Sequence, residues 1–355
     1  MSQDIQEMLK NLAGPNVSDL HFKIGRPPLR RINGALLPSD LPPVTEEAMT
    51  AMCMGMLGKE LWTRFLEQRE LDTSYSIPGF SRFRISLFYQ RGSIAMVMRA
   101  ITYTIPNLDA LGTPPSLKEI AMSPRGLILV TGVTGSGKSS TLAAMIDHIN
   151  ENCPDHVITI EDPIEFIHRD KKSSVNQREI GIDTTDFATA FRAALRQDPD
   201  TILVGELRDL KTMQIALQAA ETGHLVFSTV HTTDAKETIG RFIDEFPPHQ
   251  HAQVRIQLAT NLRAVISQRL LQNIEGTGRV LACEILVVTA AIRAAIMDGT
   301  KDKEILGLME RGAQHGMQSF DQDLMRLYRE KKISKDEAIS NATSPIDFQV
   351  KLSLT

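Results

Sequence analysis

Cysteine is scarce in this chain of 355 residues. There are three, Cys53, Cys153 and Cys283, far apart and with no CxxC pair. An odd, scattered set excludes a disulfide framework, offers no zinc site and fits a reducing cytosol. A basic excess is lacking too. Lys and Arg number 39 against 43 Asp and Glu, a formal net charge of −4. A general polyanion binder carries a positive surplus, so nucleic acid is not expected as a partner. Long apolar runs are missing: no stretch reaches the ~20 residues that a membrane-spanning helix requires. The opening MSQDIQEMLKNL has no signal-peptide pattern. Its Ile5, Met8, Leu9 and Leu12 recur at helical spacing and predict a short amphipathic helix, packed on its own domain rather than on a membrane. No internal repeat and no low-complexity segment interrupts the chain.

What is present reads as two globular halves, with enough residues for two ordinary domains. Residues 1–104 predict a small α+β domain of short strands and turns. Leu20–Ile24 is one apolar run, and Leu29–Ile32, Asn33-Gly34 and Ala35–Leu37 read as a hairpin with the favoured turn dipeptide. A helix is expected near Thr45–Phe65, then strands at Asp72–Ile77, Arg82–Gln90 and Ser93–Ile101. Pro106, Gly112, Pro114 and Pro115 mark 105–122 as a linker or hinge. Over 123–355 buried strands alternate with helices, the pattern of a parallel sheet in an α/β domain. The strands are Leu127–Val130, Val157–Ile160, Thr201–Val204 and Leu225–Val230. Beyond Pro248 the text reads as mostly helical, with Val254, Leu258, Leu262, Val265, Ile266 and Leu270 as one stripe.

Gly132-Val-Thr-Gly135-Ser-Gly137-Lys138-Ser139 matches GxxxxGK[ST] and sits between an apolar strand and an amphipathic helix. Glycines let backbone N–H groups wrap phosphates at the helix start, where the dipole favours negative charge. Gly132, Thr134, Gly135, Ser136, Gly137, Lys138, Ser139 and Ser140 are therefore the candidate ATP-binding set. Lys138 would reach the β- and γ-phosphates, and Ser139 would ligate Mg²⁺.

Acids cluster at two strand ends. Thr201–Val204 runs into Gly205-Glu206, placing Glu206 where P-loop enzymes hold the Mg²⁺ shell, here through a water because Glu is one methylene longer than the usual Asp. Glu161-Asp162-Pro163-Ile164-Glu165 follows Val157–Ile160, at the carboxyl ends where ligands gather. A carboxylate there suits the base that activates the attacking water. Glu165 is assigned that role, with Glu161 the alternative on chemistry alone.

Pairing about Arg91-Gly92 sets Gln90 against Ser93, Ser86 against Val97 and Arg84 against Arg99. Phe83, Ile85, Leu87 and Tyr89 against Ile94, Met96 and Met98 then form the core face. Like charges across a hairpin repel unless an anion intervenes, and the hairpin has no acid to supply one. An ATP phosphate would serve, in the manner of arginine fingers. A solvated surface pair held by the turn is the alternative, because Arg-Gly is not the favoured turn dipeptide. His231 ends the strand Leu225–Val230 and could sense the γ-phosphate, whereas His224 starts it. Taken singly, each histidine reads as a hydrogen-bonded structural residue.

Together these segments resemble the secretion-type ATPases, and specifically the pilus retraction ATPases of the PilT family. The pieces are LVTGVTGSGKSSTLAAMIDHIN at 129–150, ITIEDPIEFIH at 158–168, VNQREIG at 175–181, LRQDPDTILVGELRD at 195–209 and AAETGHLVFSTVHTTDA at 219–235. In family terms they are the Walker A motif, the Asp box, an intervening loop, the Walker B motif and the His box. The resemblance implies a PAS-like N-terminal domain, a RecA-like ATPase domain with a helical C-terminal part, and a homo-hexameric ring in the cytoplasm at the inner-membrane base of the pilus machine. It implies ATP and Mg²⁺ as ligands and a platform protein, with a paralogous retraction ATPase, as partners. It gives Lys138 and Ser139 the Walker A roles, Glu165 that of base and Glu206 that of Walker B acid. His224 and His231 fall in the His box, and Arg84 and Arg99 match the arginine fingers. The chain departs from the family's AIRNLIR helix at Ala291–Met297, and Gly316–Leu324 resembles the accessory PilU type.

Overall fold

A period-two alternation puts Phe83, Ile85 and Leu87 on one face of a strand and Arg82, Arg84 and Ser86 on the other, and the N-terminal unit forms around that choice. The computed structural model describes residues 2–14, 17–101 and 104–353. The chain divides into one unit of Met1–Thr104 with Glu165–Ile167 and a second of Ile105–Ile164 with His168–Thr355.

The first unit runs α1 (Ser2–Leu12), β1 (Val17–Lys23), β2 (Leu29–Ile32), β3 (Ala35–Pro38), α2 (Glu46–Gln68), β4 (Glu70–Ile77), β5 (Ser81–Gln90) and β6 (Ser93–Ile101). Its strands form an antiparallel sheet in the order β3-β2-β1-β6-β5-β4. The apolar face meets α1 and α2, burying Leu9, Leu12, Met49, Phe65, Ile85 and Met98. Thr45 caps α2, accepting from the Ala48 amide at 3.2 Å. Asn33 and Gly34, at φ 49° and 88°, make the expected twist-matching turn. Arg91 and Gly92, at φ 50° and 78°, do the same, so the β5–β6 hairpin closes in the two-residue turn that its dipeptide does not advertise. Arg84 pairs with Arg99 and Gln90 with Ser93.

The second unit contains α3 (Ser116–Ala121), β7 (Gly126–Thr131), α4 (Lys138–Asn152), β8 (His156–Glu161), β9 (Ser174–Glu179), α5 (Phe187–Ala194), β10 (Thr201–Val204), α6 (Leu210–Glu221), β11 (Leu225–Val230), α7 (Ala235–Asp244), α8 (His251–Asn261), β12 (Leu262–Gln272) and β13 (Arg279–Val287). Helices α9 (Ala290–Asp298), α10 (Ile305–Glu310), α11 (Phe320–Arg329), α12 (Lys335–Ser340) and α13 (Pro345–Ser353) complete it. The sheet order is β13-β12-β7-β11-β10-β8-β9, parallel except for β13. Strands β7, β10 and β11 are buried along their whole length, which explains their continuous apolar text. Leu127 and Leu129 face the α5–α9 layer. Ile128 and Val130 face α3 and α4.

Three expectations need correction. The helical stripe stops at Asn261: Leu262–Gln272 is a strand between β7 and β13, and Arg279–Val287 is its antiparallel neighbour. Val265 and Ile266 suit a strand buried on both faces, where an apolar run carries no period to separate it from a helix. Residues 174–179, read as loop, form the edge strand β9 beside β8. Residues 105–122 are no open linker, because Leu108, Leu117, Ile120 and Ala121 are buried against α4 and the sheet. Proline and glycine there report the backbone's turns rather than its exposure. Truncating Leu117, which is 0% exposed, should therefore destabilise the protein by about 2–5 kcal/mol. Urea unfolding of Leu117→Ala checks this; a linker residue would leave the curve in place.

Candidate active site

The loop after β7 is shaped by what cannot fit in it. Gly132 has φ 141°, and a Cβ there would lie 2.5 Å from Ser136 Oγ and 2.6 Å from the Gln268 carbonyl. Gly137, at φ 93°, caps α4 without a side chain, leaving the helix start open to an anion. Lys138 Nζ donates to the carbonyls of Gly132 at 2.8 Å and Val133 at 3.0 Å. Ser136 is 2% exposed and its Oγ has no hydrogen-bond partner. Val133, Thr134 and Gly135 are exposed, while Ser139 and Ser140 are half-buried in the first turn. Strand β12 braces both ends of the loop: Thr131 Oγ1 bonds Ser267 Oγ at 3.0 Å, and Gln268 Nε2 donates to Thr141 Oγ1 at 2.7 Å. An uncapped helix start, an orphaned buried hydroxyl and a lysine folded over the loop fit a bound phosphate chain.

The neighbouring strands end beside one another. The Gly205 amide bonds the Ile160 carbonyl at 2.8 Å, and the Leu207 amide bonds the Thr229 carbonyl at 3.0 Å. Glu206 therefore meets the group at the end of β11. His231 Nε2 lies 3.4 Å from Glu206 Oε2, and Arg208 pairs with Oε1. The hydrogen bond to Glu206 holds the Arg208 guanidinium above its usual pKa, with Asp162 adding to the effect. Arg208 carried no role in the sequence, although it stands two residues after the strand-end acid, which was the available signal. Glu161 Oε1 accepts from Thr159 Oγ1 at 2.7 Å and Gln177 Nε2 at 3.1 Å. Glu165 is exposed.

The segment that carries Glu165 is anchored on both sides. The Ile164 amide donates to Glu179 Oε2 at 3.2 Å. Asn150, fully buried in the last turns of α4, donates to the Arg169 carbonyl at 2.7 Å, and its Oδ1 accepts from the Lys171 amide at 3.0 Å. Lys171 also reaches Asp147 and Glu151, each at 2.8 Å.

His224 is at the other edge of the sheet. Its carbonyl accepts from Gly126, the first residue of β7, and its ring Nδ1 lies 3.0 Å from the Ala219 carbonyl and 3.2 Å from Thr222 Oγ1. Within its own unit it is a hydrogen-bonded structural histidine, one strand length from the phosphate loop. Arg84 and Arg99 lie in the first unit with Glu165, whereas Lys138, Glu206 and His231 lie in the second. The arginine pair is not without an acid: Asp19 on β1, outside the hairpin, bonds Arg99 Nε at 2.9 Å. Pairing of β1 with β6 could not be read from the hairpin alone.

A phosphate loop at the carboxyl edge of a largely parallel sheet, with an acid at the end of a nearby strand, defines a RecA-like P-loop ATPase. The type II/IV secretion system protein family matches residues 4–277, and the chain belongs to that family. It is 44% identical to the type IV pilus retraction ATPase PilT of Pseudomonas aeruginosa over 97% of this chain and all of that one. It is 38% identical to the type IV pilus ATPase PilU of the same organism over 99% of this chain and 92% of that one. A crystal structure of the pilus retraction motor PilT with bound ADP superposes with a TM-score of 0.89 at 44% identity, covering 98% of this chain and 99% of that one.

Two outcomes follow from the geometry. Gly132→Ala drives a methyl into Ser136 and the Gln268 carbonyl, so nucleotide affinity should fall at least about tenfold, read with a fluorescent ATP analogue. Glu284, 3% exposed on β13, accepts from the Ala235 amide at 2.7 Å at the start of α7. Burial pushes its carboxyl up to about 7. The folded state thus holds this proton more tightly than the unfolded chain. The resulting stability is present below the unfolded value near 4.5 and is lost as pH rises through 7. Glu284→Gln should flatten the stability profile between those limits in urea titrations at stepped pH.

Proposed function

We propose that this chain is the motor subunit that hydrolyses ATP to retract a type IV pilus, working as a homo-hexameric ring. In this reading it sits in the cytoplasm at the inner-membrane base of the pilus machine and acts on its platform protein. Among the described residues no helix is long and apolar enough to cross a membrane. The observation that carries the proposal is the phosphate loop, with its open helix start, its orphaned Ser136 hydroxyl and Lys138, in a chain that matches PilT end to end.

The loop amides and Lys138 bind the phosphates of ATP and stabilise charge on the transferring phosphoryl group. Mg²⁺ would be held by Ser139 and, through water, by Glu206, and would supply neutralisation of the phosphate charge. Glu165 accepts a proton from the attacking water as oxygen bonds to the γ-phosphorus and the bond to the ADP oxygen breaks. His231, joined to Glu206, reports whether the γ-phosphate is present. Arg84 and Arg99 complete the charge set from the N-terminal unit. Lys138, Glu206 and His231 belong to one unit, and Glu165, Arg84 and Arg99 to the other.

A second reading is an accessory retraction ATPase of the PilU type that works with a paralogue. It is favoured by the full-length match to PilU and by α9, where Ala294 and Met297 stand in place of the Asn and the last Arg of the retraction helix. Deleting the gene separates the two: hyperpiliation with loss of twitching supports the primary motor, and retained twitching supports the accessory role.

For the chemistry, Lys138→Ala should abolish nucleotide binding. Glu165→Gln should leave binding intact and lower kcat by at least about a hundredfold. A Glu165→Gln enzyme of undiminished kcat would overturn the assignment of the base and return Glu161 to consideration. Mass measurement with and without ATP tests the ring; a strict monomer hydrolysing at full rate rules it out.

A further inference from the structure

The exposed face of the N-terminal sheet carries a row of charge wider than the β5–β6 hairpin. Across four strands, Arg31 on β2 stands opposite Asp19 on β1, Asp19 opposite Arg99 on β6, and Arg99 opposite Arg84 on β5. Asp19 is the acid among the three arginines and is only 5% exposed. Its Oδ1 accepts from Arg99 Nε at 2.9 Å and its Oδ2 from Ser18 Oγ at 2.8 Å, while Arg31 Nε lies 3.8 Å from Oδ2. Burial raises its pKa, but the bonds from Ser18 and Arg99 outweigh that and leave it below the usual carboxylate range.

The geometry of the Arg99 contact matters more than its existence. A guanidinium presents five N–H donors in one plane. Asp19 takes the donor on Nε, the one nearest the chain, and leaves the four on the two terminal nitrogens. The Arg99 side chain is 69% exposed despite this bond, so those donors face outward. An acid placed only to cancel charge would meet the terminal nitrogens, in the two-toothed pairing arginine prefers. This acid instead fixes the plane of the group and leaves its fork open. The sheet also places Arg84 beside Arg99, so along this row three arginines share one buried carboxylate.

We infer that Asp19 is a positioning residue for Arg99, holding the guanidinium through Nε so that its terminal nitrogens are presented to the phosphates of a nucleotide. The inference rests on the proposed role of the arginines. It adds that the arginine is set in place before ATP arrives, so that little side-chain freedom is lost when the phosphates are engaged.

The test uses the full-length protein and four variants, Asp19→Ala, Asp19→Asn, Arg99→Ala and the double variant Asp19→Ala/Arg99→Ala. For each, kcat, KM for MgATP and the thermal unfolding midpoint are measured. Asp19→Ala should lower kcat about tenfold with KM within about twofold. Asp19→Asn should fall between it and the wild type, since the amide oxygen still accepts from Nε without its charge. The double variant should be no slower than Arg99→Ala, because Asp19 has nothing left to orient. Losses that multiply in the double variant, or Asp19→Ala at wild-type rate while Arg99→Ala is slow, overturn the inference. If Arg99→Ala itself runs at wild-type rate, the arginine role proposed above is what fails, and the positioning role falls with it.

Discussion

The site depends on one close approach, that of the Gly132 backbone to the carbonyl of Gln268. Any side chain at 132 would collide with that carbonyl and with Ser136, so the turn that cups phosphate exists only where two main chains are nearly touching. β12 must therefore lie beside β7 before the loop can take its shape. Ser267 and Gln268 extend the contact with hydrogen bonds to Thr131 and Thr141, one on each side of the turn. Residues more than 120 positions apart in sequence thus form a single bracket. β13, paired along β12, ties that bracket through Glu284 to the start of α7, just beyond His231.

How much of this was legible follows from how local each signal is. The phosphate loop, its strand and its helix lie within one short segment whose glycines and lysine have few other uses, and they stand as expected. The β5–β6 register was readable because a two-residue turn fixes every pair outward from it, down to Arg84 against Arg99. Leu262–Gln272 was not readable as a strand. Buried on both faces, it lost the alternation that marks a half-exposed strand, and its apolar residues fell by chance at helical spacing. Asp19 escaped notice for another reason: it joins the arginines only through pairing of β1 with β6, some 80 residues away. Arg208 stands two residues after Glu206, but nothing local says that a guanidinium after a strand-end acid folds back onto it.

Charge is distributed over the C-terminal sheet with a clear polarity. The carboxyl edge gathers Lys138, Glu161, Glu206, Arg208 and His231, while at the amino edge His224 is consumed by local hydrogen bonds. The two histidines that bracket β11 therefore have different partners, Glu206 for His231 and the Ala219 carbonyl for His224. Helix dipoles add to the asymmetry, because α4 directs its positive end at the loop and carries no side-chain cap to quench it.

The far end of α4 gives that helix a mechanical character. Fifteen residues long, it spans about 22 Å, with the phosphate turn at one end and Asn150 gripping the 169–171 backbone at the other. Lys171 doubles the grip through Asp147 and Glu151. A rod of that length tilting by about 5° at the nucleotide carries its opposite end through about 2 Å. Asn150 and Lys171 tie the 169–171 backbone to the end of this helix, so a tilt of the helix carries that segment with it.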